Sequence, residues 1–217
     1  MNSRILGLFT LLVVLLSVVG MAYAKWYDVV QIEGTVEMGE FIFGISEIQE
    51  LGDNEPDLPV PKDVAYIEAT LEEPETGKTG KTVYKLMLVY IYNAYPSYMA
   101  WVIFNLSNAG TIPAHIVSLT VEGKDLSDGT DLLWYDPDGD GCGILFEDTN
   151  GNGEYNDGEE RINLSITKLD GRPLVCNQID PCIDEKALLW LHFKQASEEC
   201  HTYFFKITIE AVQWNEA

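Results

Sequence analysis

Basic side chains are scarce. The chain has 13 Lys and Arg against 35 Asp and Glu, a formal net charge of −22, which repels nucleic acid and anionic lipid and excludes both as expected partners. Histidine is rarer still, at His115, His192 and His201 only. No H-E-x-x-H, G-x-S-x-G, phosphate loop or dinucleotide fingerprint occurs. Without a zinc-peptidase ligand set, His192 and His201 read as strand residues, and no enzymatic activity is expected. Cysteine is limited to Cys142, Cys176, Cys182 and Cys200. Close C-x2-C pairs are missing, so in an exported chain these four predict disulfides rather than zinc. Cys176 and Cys182 bracket a Pro-containing loop and could close it, leaving Cys142 with Cys200, but four cysteines permit three connectivities.

Long apolar runs are also missing, with one exception. Ile5 to Val19 is almost continuously apolar, preceded by Arg4 and followed by Ala22-Tyr23-Ala24. This is the pattern of a signal peptide over 1–24, with the mature chain starting at Lys25. The apolar run, about 15 residues, is short against the ~20 that span a bilayer. A secreted, extracellular or cell-surface protein with no membrane segment after cleavage is expected. Losing Arg4 makes the net charge one unit more negative still. Such an excess of carboxylates is more than solubility requires and suggests cation binding.

What is present is β-sheet pattern. Val83 to Tyr92 and Tyr98 to Leu106 are rich in β-branched and aromatic residues and flank Asn93-Ala94-Tyr95-Pro96-Ser97, which predicts a hairpin. Asn108 to Pro113 forms a second turn before a strand over Ala114 to Val121. The first two strands are apolar on both faces, which predicts cover on both sides, by a loop or by a partner subunit. Further strands are read at Trp26 to Glu33, Val36 to Ile45, Val64 to Leu71, Leu132 to Tyr135, Ile162 to Thr167, Ala187 to Lys194 and His201 to Trp214. The expected fold is all-β, a β-sandwich or jelly roll of about nine or ten strands.

The segment 136–160 carries the most specific chemistry. It holds nine carboxylate residues and no Lys or Arg. Asp148, Asn150, Asn152, Gly153 and Glu159 fit D-x-[DN]-x-[DN]-G-x5-E, with Glu154 at the position that offers a carbonyl. Calcium (Ca2+) is the expected ion. Asp136, Asp138, Asp140, Gly141 and Glu147 repeat the pattern one loop earlier, although Ile144, Leu145 and Phe146 inside it look like a strand. The flanking segments are strand-like, so the predicted calcium role is structural, pinning an acidic insertion that would otherwise repel itself. Asn105 and Asn163 each open an N-x-S triplet, the acceptor pattern for glycosylation.

Three segments resemble one family. "NAYPSYMAWVIFNLSNAGTIPAHI", from Asn93 to Ile116, resembles the central segment of the TasA/camelysin-like fibre subunits and archaeal bundling pilins. "AKWYDVVQIEGTVEMGEFIFGI" at 24–45 and "YFFKITIEAVQWNEA" at 203–217 resemble the family's N-terminal segment and closing strand. Ser97 stands where these proteins usually carry glycine, so a slightly different turn is expected there. The resemblance implies a homopolymer built by donor-strand complementation. In it residues 25–35, with Trp26, Tyr27, Asp28, Val29, Val30 and Ile32, would insert into a neighbouring subunit whose β-sandwich spans 36–217. Trp26, Val30 and Ile32 share one face and are the candidate knobs. The implied function is an extracellular filament, a bundling pilus or biofilm matrix fibre, whose neighbouring filaments associate. The acidic insertion is not part of the resemblance. The alternative is a monomeric calcium-stabilised extracellular binding module, for example for carbohydrate, with Trp101, Trp134 and Tyr135 as an aromatic platform.

Overall fold

The computed structural model describes residues 3–22, 38–54 and 64–213. The expected donor strand, 25–35, lies outside the described residues. The chain divides into two units, Met1–Glu37 and Met38–Ala217. In the first, Ser3–Ala22 forms a helix, α1. No helix among the described residues is long and apolar enough to cross a membrane.

The second unit is all-β. Its strands are β1 (Phe43–Asp53), β2 (Tyr66–Thr76), β3 (Thr82–Ala94), β4 (Met99–Asn108), β5 (Ala114–Asp125), β6 (Asp131–Tyr135), β7 (Cys142–Phe146), β8 (Glu160–Lys168), β9 (Gln178–Ile179), β10 (Asp184–Phe193) and β11 (His201–Gln213). Hydrogen bonding runs in the order β1-β4-β10-β8-β7-β6-β5-β11-β3 and closes through the pairing Ile45↔Tyr84 between β1 and β3. Nine strands therefore make a closed ring. β2 adds to the outside of β3, and β9 to the start of β5.

Alternation builds the core. In β3, Val83, Met87, Val89 and Ile91 are buried while Tyr84, Leu86, Leu88, Tyr90 and Tyr92 are half-buried. The outer face is therefore not the fully covered second core that its apolar composition predicts. It carries an aromatic ladder instead, with Tyr66 stacked on Tyr92 at 4.5 Å and Tyr90 against Phe204 at 5.1 Å. Aromatic rings fit a half-wet surface because their edges tolerate water while their faces pack. Inside the ring, Tyr98, Phe104, Phe193, Tyr203 and Phe205 are among the largest fully buried side chains.

The expected hairpin between β3 and β4 does not form. β3 pairs with β2, β11 and β1, whereas β4 pairs with β1 and β10. The connection explains this. Asn93 and Ser97 both take left-handed backbone, φ 53° and 73°, and Ser97 N–H and Tyr98 C=O bond to Phe193 of β10. β4 is thereby committed to β10, and β1 is interposed between β4 and β3. Ser97 holds the backbone conformation that glycine would favour at that place. The first strand of the ring is also displaced from the predicted 36–45 to Phe43–Asp53, running through Glu47 and Glu50.

Candidate functional site

β3 changes partner along its length, and this opens a seam. From Ala94 to Met87 its inner edge pairs with β11, but at Tyr84 it pairs with β1. β11 continues past Ile207 to Gln213 bonded only to β5. Among the described residues, then, Thr208 to Gln213 has no ladder partner on the edge away from β5. Beside it lies a cavity of about 30 Å3 lined by Phe43, Ile45, Tyr84, Leu106, Ile207 and Ile209. β1 approaches β3 closely here because residue 44 is glycine; a Cβ would stand 2.6 Å from the Tyr84 carbonyl oxygen. Lys85 Nζ donates to the Phe43 carbonyl at 2.6 Å and caps one side.

Among the described residues β2 and β1 also present open edges, and both are blunted. β2 presents Glu68, Glu72, Glu73, Pro74 and Glu75 and kinks at Glu73, φ 58°. β1 carries register shifts between Ile45 and Glu47 and between Ile48 and Glu50. Charge, proline and bulges are the devices that keep an edge from pairing. The β11 edge has only Glu210 among acids, and its alternate residues Ile209 and Ala211 pack against the core.

The two acidic loops fold alike locally. Asp148 Oδ1 accepts Gly151 N–H at 2.8 Å and Oδ2 accepts Gly153 N–H at 2.7 Å. Asp136 does the same with Gly139 and Gly141, at 3.0 Å each. Asn152 and Asp140 then accept the N–H of Glu154 and Cys142. The glycines at Gly141 and Gly153 are required, having φ 87° and 73°. Glu159, buried, curls back to close the second loop. Its Oε1 accepts from Thr149 Oγ1 and Asn150 Nδ2, and its Oε2 from the N–H and amide of Asn156. These hydrogen bonds, Thr149 first, hold its carboxyl below the usual range. Asn150 Oδ1 accepts Asn152 N–H, and the Glu154 carbonyl accepts the Asn156 amide.

In the first loop Asp136, Asp138 and Asp140 place carboxylate oxygens within 4.8 Å of one another. Burial raises the Asp136 carboxyl, and Asp138 and Asp140 push the same way against the N–H groups of Gly141 and Gly139. Glu147, expected as the closing ligand, is not there. It is drawn off by Arg161, whose Nε donates to Glu147 Oε2 at 3.0 Å across neighbouring strands. The intervening residues form β7, so a twelve-residue loop cannot close.

The structure shows no bond between the cysteines for which disulfides were expected. Cys142, Cys176, Cys182 and Cys200 are free and exposed. Three of them are tied to separate strand ends by their backbone: Cys176 N–H donates to Ile116 C=O, Cys182 N–H to Asn108 C=O and Cys200 N–H to Ala94 C=O. Asn105 is unsuited to glycosylation, being 5% exposed with its amide donating to Glu47 at 2.9 Å. Asn163 sits half-buried in β8 between Ile144 and His192.

Of the aromatic platform, Trp134 and Tyr135 line an open groove of about 590 Å3 with Phe146 and Tyr155, while Trp101 lies on β4 opposite Gly52 and Trp190. The sequence reading missed one constellation. His201, opening β11, has Nδ1 2.6 Å from Asp125 Oδ2 and Nε2 3.0 Å from Glu198 Oε2. The hydrogen bond with Asp125 raises the imidazole pKa. No protein-family model, curated protein or solved structure matches the chain.

Proposed function

We propose that the protein is the subunit of an extracellular filament, a bundling pilus or biofilm matrix fibre, that polymerises by strand donation. The observation that carries this reading is the Thr208–Gln213 edge, without a second ladder partner among the described residues, beside an apolar cavity. An added strand would satisfy the main-chain groups of that edge, and alternate side chains would fill the cavity. Trp26, Val30 and Ile32 have the right spacing, and each large apolar side chain buried contributes about 1.5–3 kcal/mol before ordering costs. The segment resemblances to TasA/camelysin-like fibre subunits and archaeal bundling pilins point the same way. In this reading the signal peptide is removed, the donor comes from a second copy, and no catalytic step is involved. The closed sheet is then a flattened jelly-roll barrel, a shape favoured by the departure of β3, β4 and β5 to different parts of the ring.

Electron microscopy of the chain starting at Lys25, beside one lacking Lys25 to Glu33, tests it. Filaments from the first and folded monomers from the second are expected. Filaments from both would remove the donor assignment, and filaments from neither would remove the polymer.

Calcium in the acidic segment is part of the same proposal. The supporting feature is that Asp148, Asn152 and Gly153 already make the turn that brings loop oxygens together. Chelation by Glu159 requires the Asn150 and Asn156 amides to release it. With calcium, hydrogen exchange across 148–159 is expected to slow at least tenfold, and Glu159→Gln to abolish that slowing. Exchange indifferent to calcium would leave a loop closed by its own hydrogen bonds.

A further inference from the structure

The cluster at the start of β11 lies outside both the assembly edge and the calcium loops. Asp125 ends β5, Asp128 lies in the turn to β6, and His201 opens β11; their ligand atoms lie within 4.8 Å of one another. We propose that Asp125, Asp128 and His201 form a binding site for one divalent transition-metal ion of the zinc class, with Glu198 positioning the imidazole.

The site is built before any ion arrives. Asp125 N–H donates to Thr130 C=O, and Gly129 N–H to Asp125 C=O, closing the turn. Ser127 N–H occupies Asp125 Oδ1 and Thr130 N–H occupies Asp128 Oδ1. The turn is also fastened to β11, through Leu126 N–H to the Thr202 carbonyl and Thr202 N–H to Ser127 Oγ. Both carboxylates and the imidazole are therefore carried on one rigid corner of the ring.

Glu198 decides which ring nitrogen is available. Its Oε2 stands 3.0 Å from Nε2, so Nε2–H donates to it and Nδ1 is the nitrogen turned to Asp125. A carboxylate on the far nitrogen is the arrangement that orients metal-bound histidines and raises their basicity. In the structure Nδ1 and Asp125 Oδ2 share a proton at 2.6 Å. An ion with bonds of about 2.0–2.2 Å replaces that proton and spreads the two atoms to about 3.3 Å.

Charge favours an ion here. A cavity of about 10 Å3, close to what a single water fills, lies beside the two aspartates, bounded by Asp125, Asp128, Glu147, Arg161, Glu198 and Tyr203 but not by His201. Asp125 is 5% exposed, and a buried carboxylate needs a counter-charge. Four carboxylates surround the cavity, and Arg161 is already engaged with Glu147. One dication offsets two of the three charges that remain. An imidazole with two carboxylate oxygens suits zinc and its neighbours, whereas calcium takes oxygen alone. The site is thus chemically distinct from the acidic loops.

Zinc titration by calorimetry tests this, using the full mature chain with its four cysteines alkylated and calcium in excess. One zinc per chain is expected. Asp128 is exposed, so Asp128→Asn keeps the fold; it and His201→Gln are each expected to weaken zinc at least a hundredfold without changing calcium uptake. Glu198→Gln is expected to weaken zinc about 10–100-fold, as removal of a positioning partner does. Zinc uptake unchanged in the Asp128 and His201 variants would overturn the site. No zinc uptake at all would overturn it too, leaving a proton-bridged ion pair that fastens the turn.

Discussion

Phe193→Ala is expected to lower folding stability by about 3–5 kcal/mol, measured as a fall in the urea midpoint with an unchanged slope. Phe193 is fully buried at the end of β10, with its ring 5.9 Å from Tyr98 and 5.1 Å from Tyr203. It is where three parts of the ring meet. Its N–H donates to Tyr98 C=O, its C=O accepts Ser97 N–H, and it pairs with Ile162 of β8. Truncation therefore opens a cavity between rings whose own positions are fixed by backbone hydrogen bonds, and such a cavity cannot collapse. Phe193→Leu, which keeps most of the volume, should lose less than half as much. Equal losses for the two variants would mean that ring geometry, not volume, holds the cluster.

That cluster was only half legible in the sequence. Alternation in β3, β4, β8 and β11 is a local pattern, and it identified which residues lie in strands, though for β3, apolar on both faces, it could not say which face turns inward. Partner choice is not local. The hairpin expected from Asn93 to Ser97 failed because Asn93 and Ser97 take left-handed backbone and β4 goes to β10, 89 residues further along in the register Trp101↔Trp190. The acidic loops were readable because their spacing is contained in twelve residues. Glu147 was not, since its competitor Arg161 lies on another strand. His201 is the strand residue its pattern indicates, but its pairing was illegible for the same reason: Asp125 is 76 positions away, and nothing near His201 in sequence announces it. Cysteine parity suggested disulfides, but parity carries no geometry, and it leaves the pairing open.

A peptide of Lys25 to Glu33 is expected to stabilise a chain that lacks this segment, and Ile209→Lys is expected to remove that stabilisation. Ligand that binds only the folded state adds RT ln(1 + [L]/Kd), about 2.7 kcal/mol at a hundredfold excess over Kd. For a chain of this size that is a rise in Tm of roughly 5–10 °C. The Thr208–Gln213 edge supplies main-chain partners, and Ile209 forms part of the cavity that the peptide's large side chains would enter. A lysine there puts an ammonium group against apolar side chains, where an unpaired charge is costly. It is half-exposed in the unoccupied subunit, so the fold itself should survive with a loss of about 1 kcal/mol or less. The full mature chain carrying Ile209→Lys should then remain monomeric while still able to donate its own strand, capping filaments of the unaltered subunit. A peptide shift that persists in Ile209→Lys would move the acceptor elsewhere, to β2 or β1, despite their acids and bulges. Capping separates the two halves of the contact: a variant with a ruined groove and an intact donor ends a filament at one pole only.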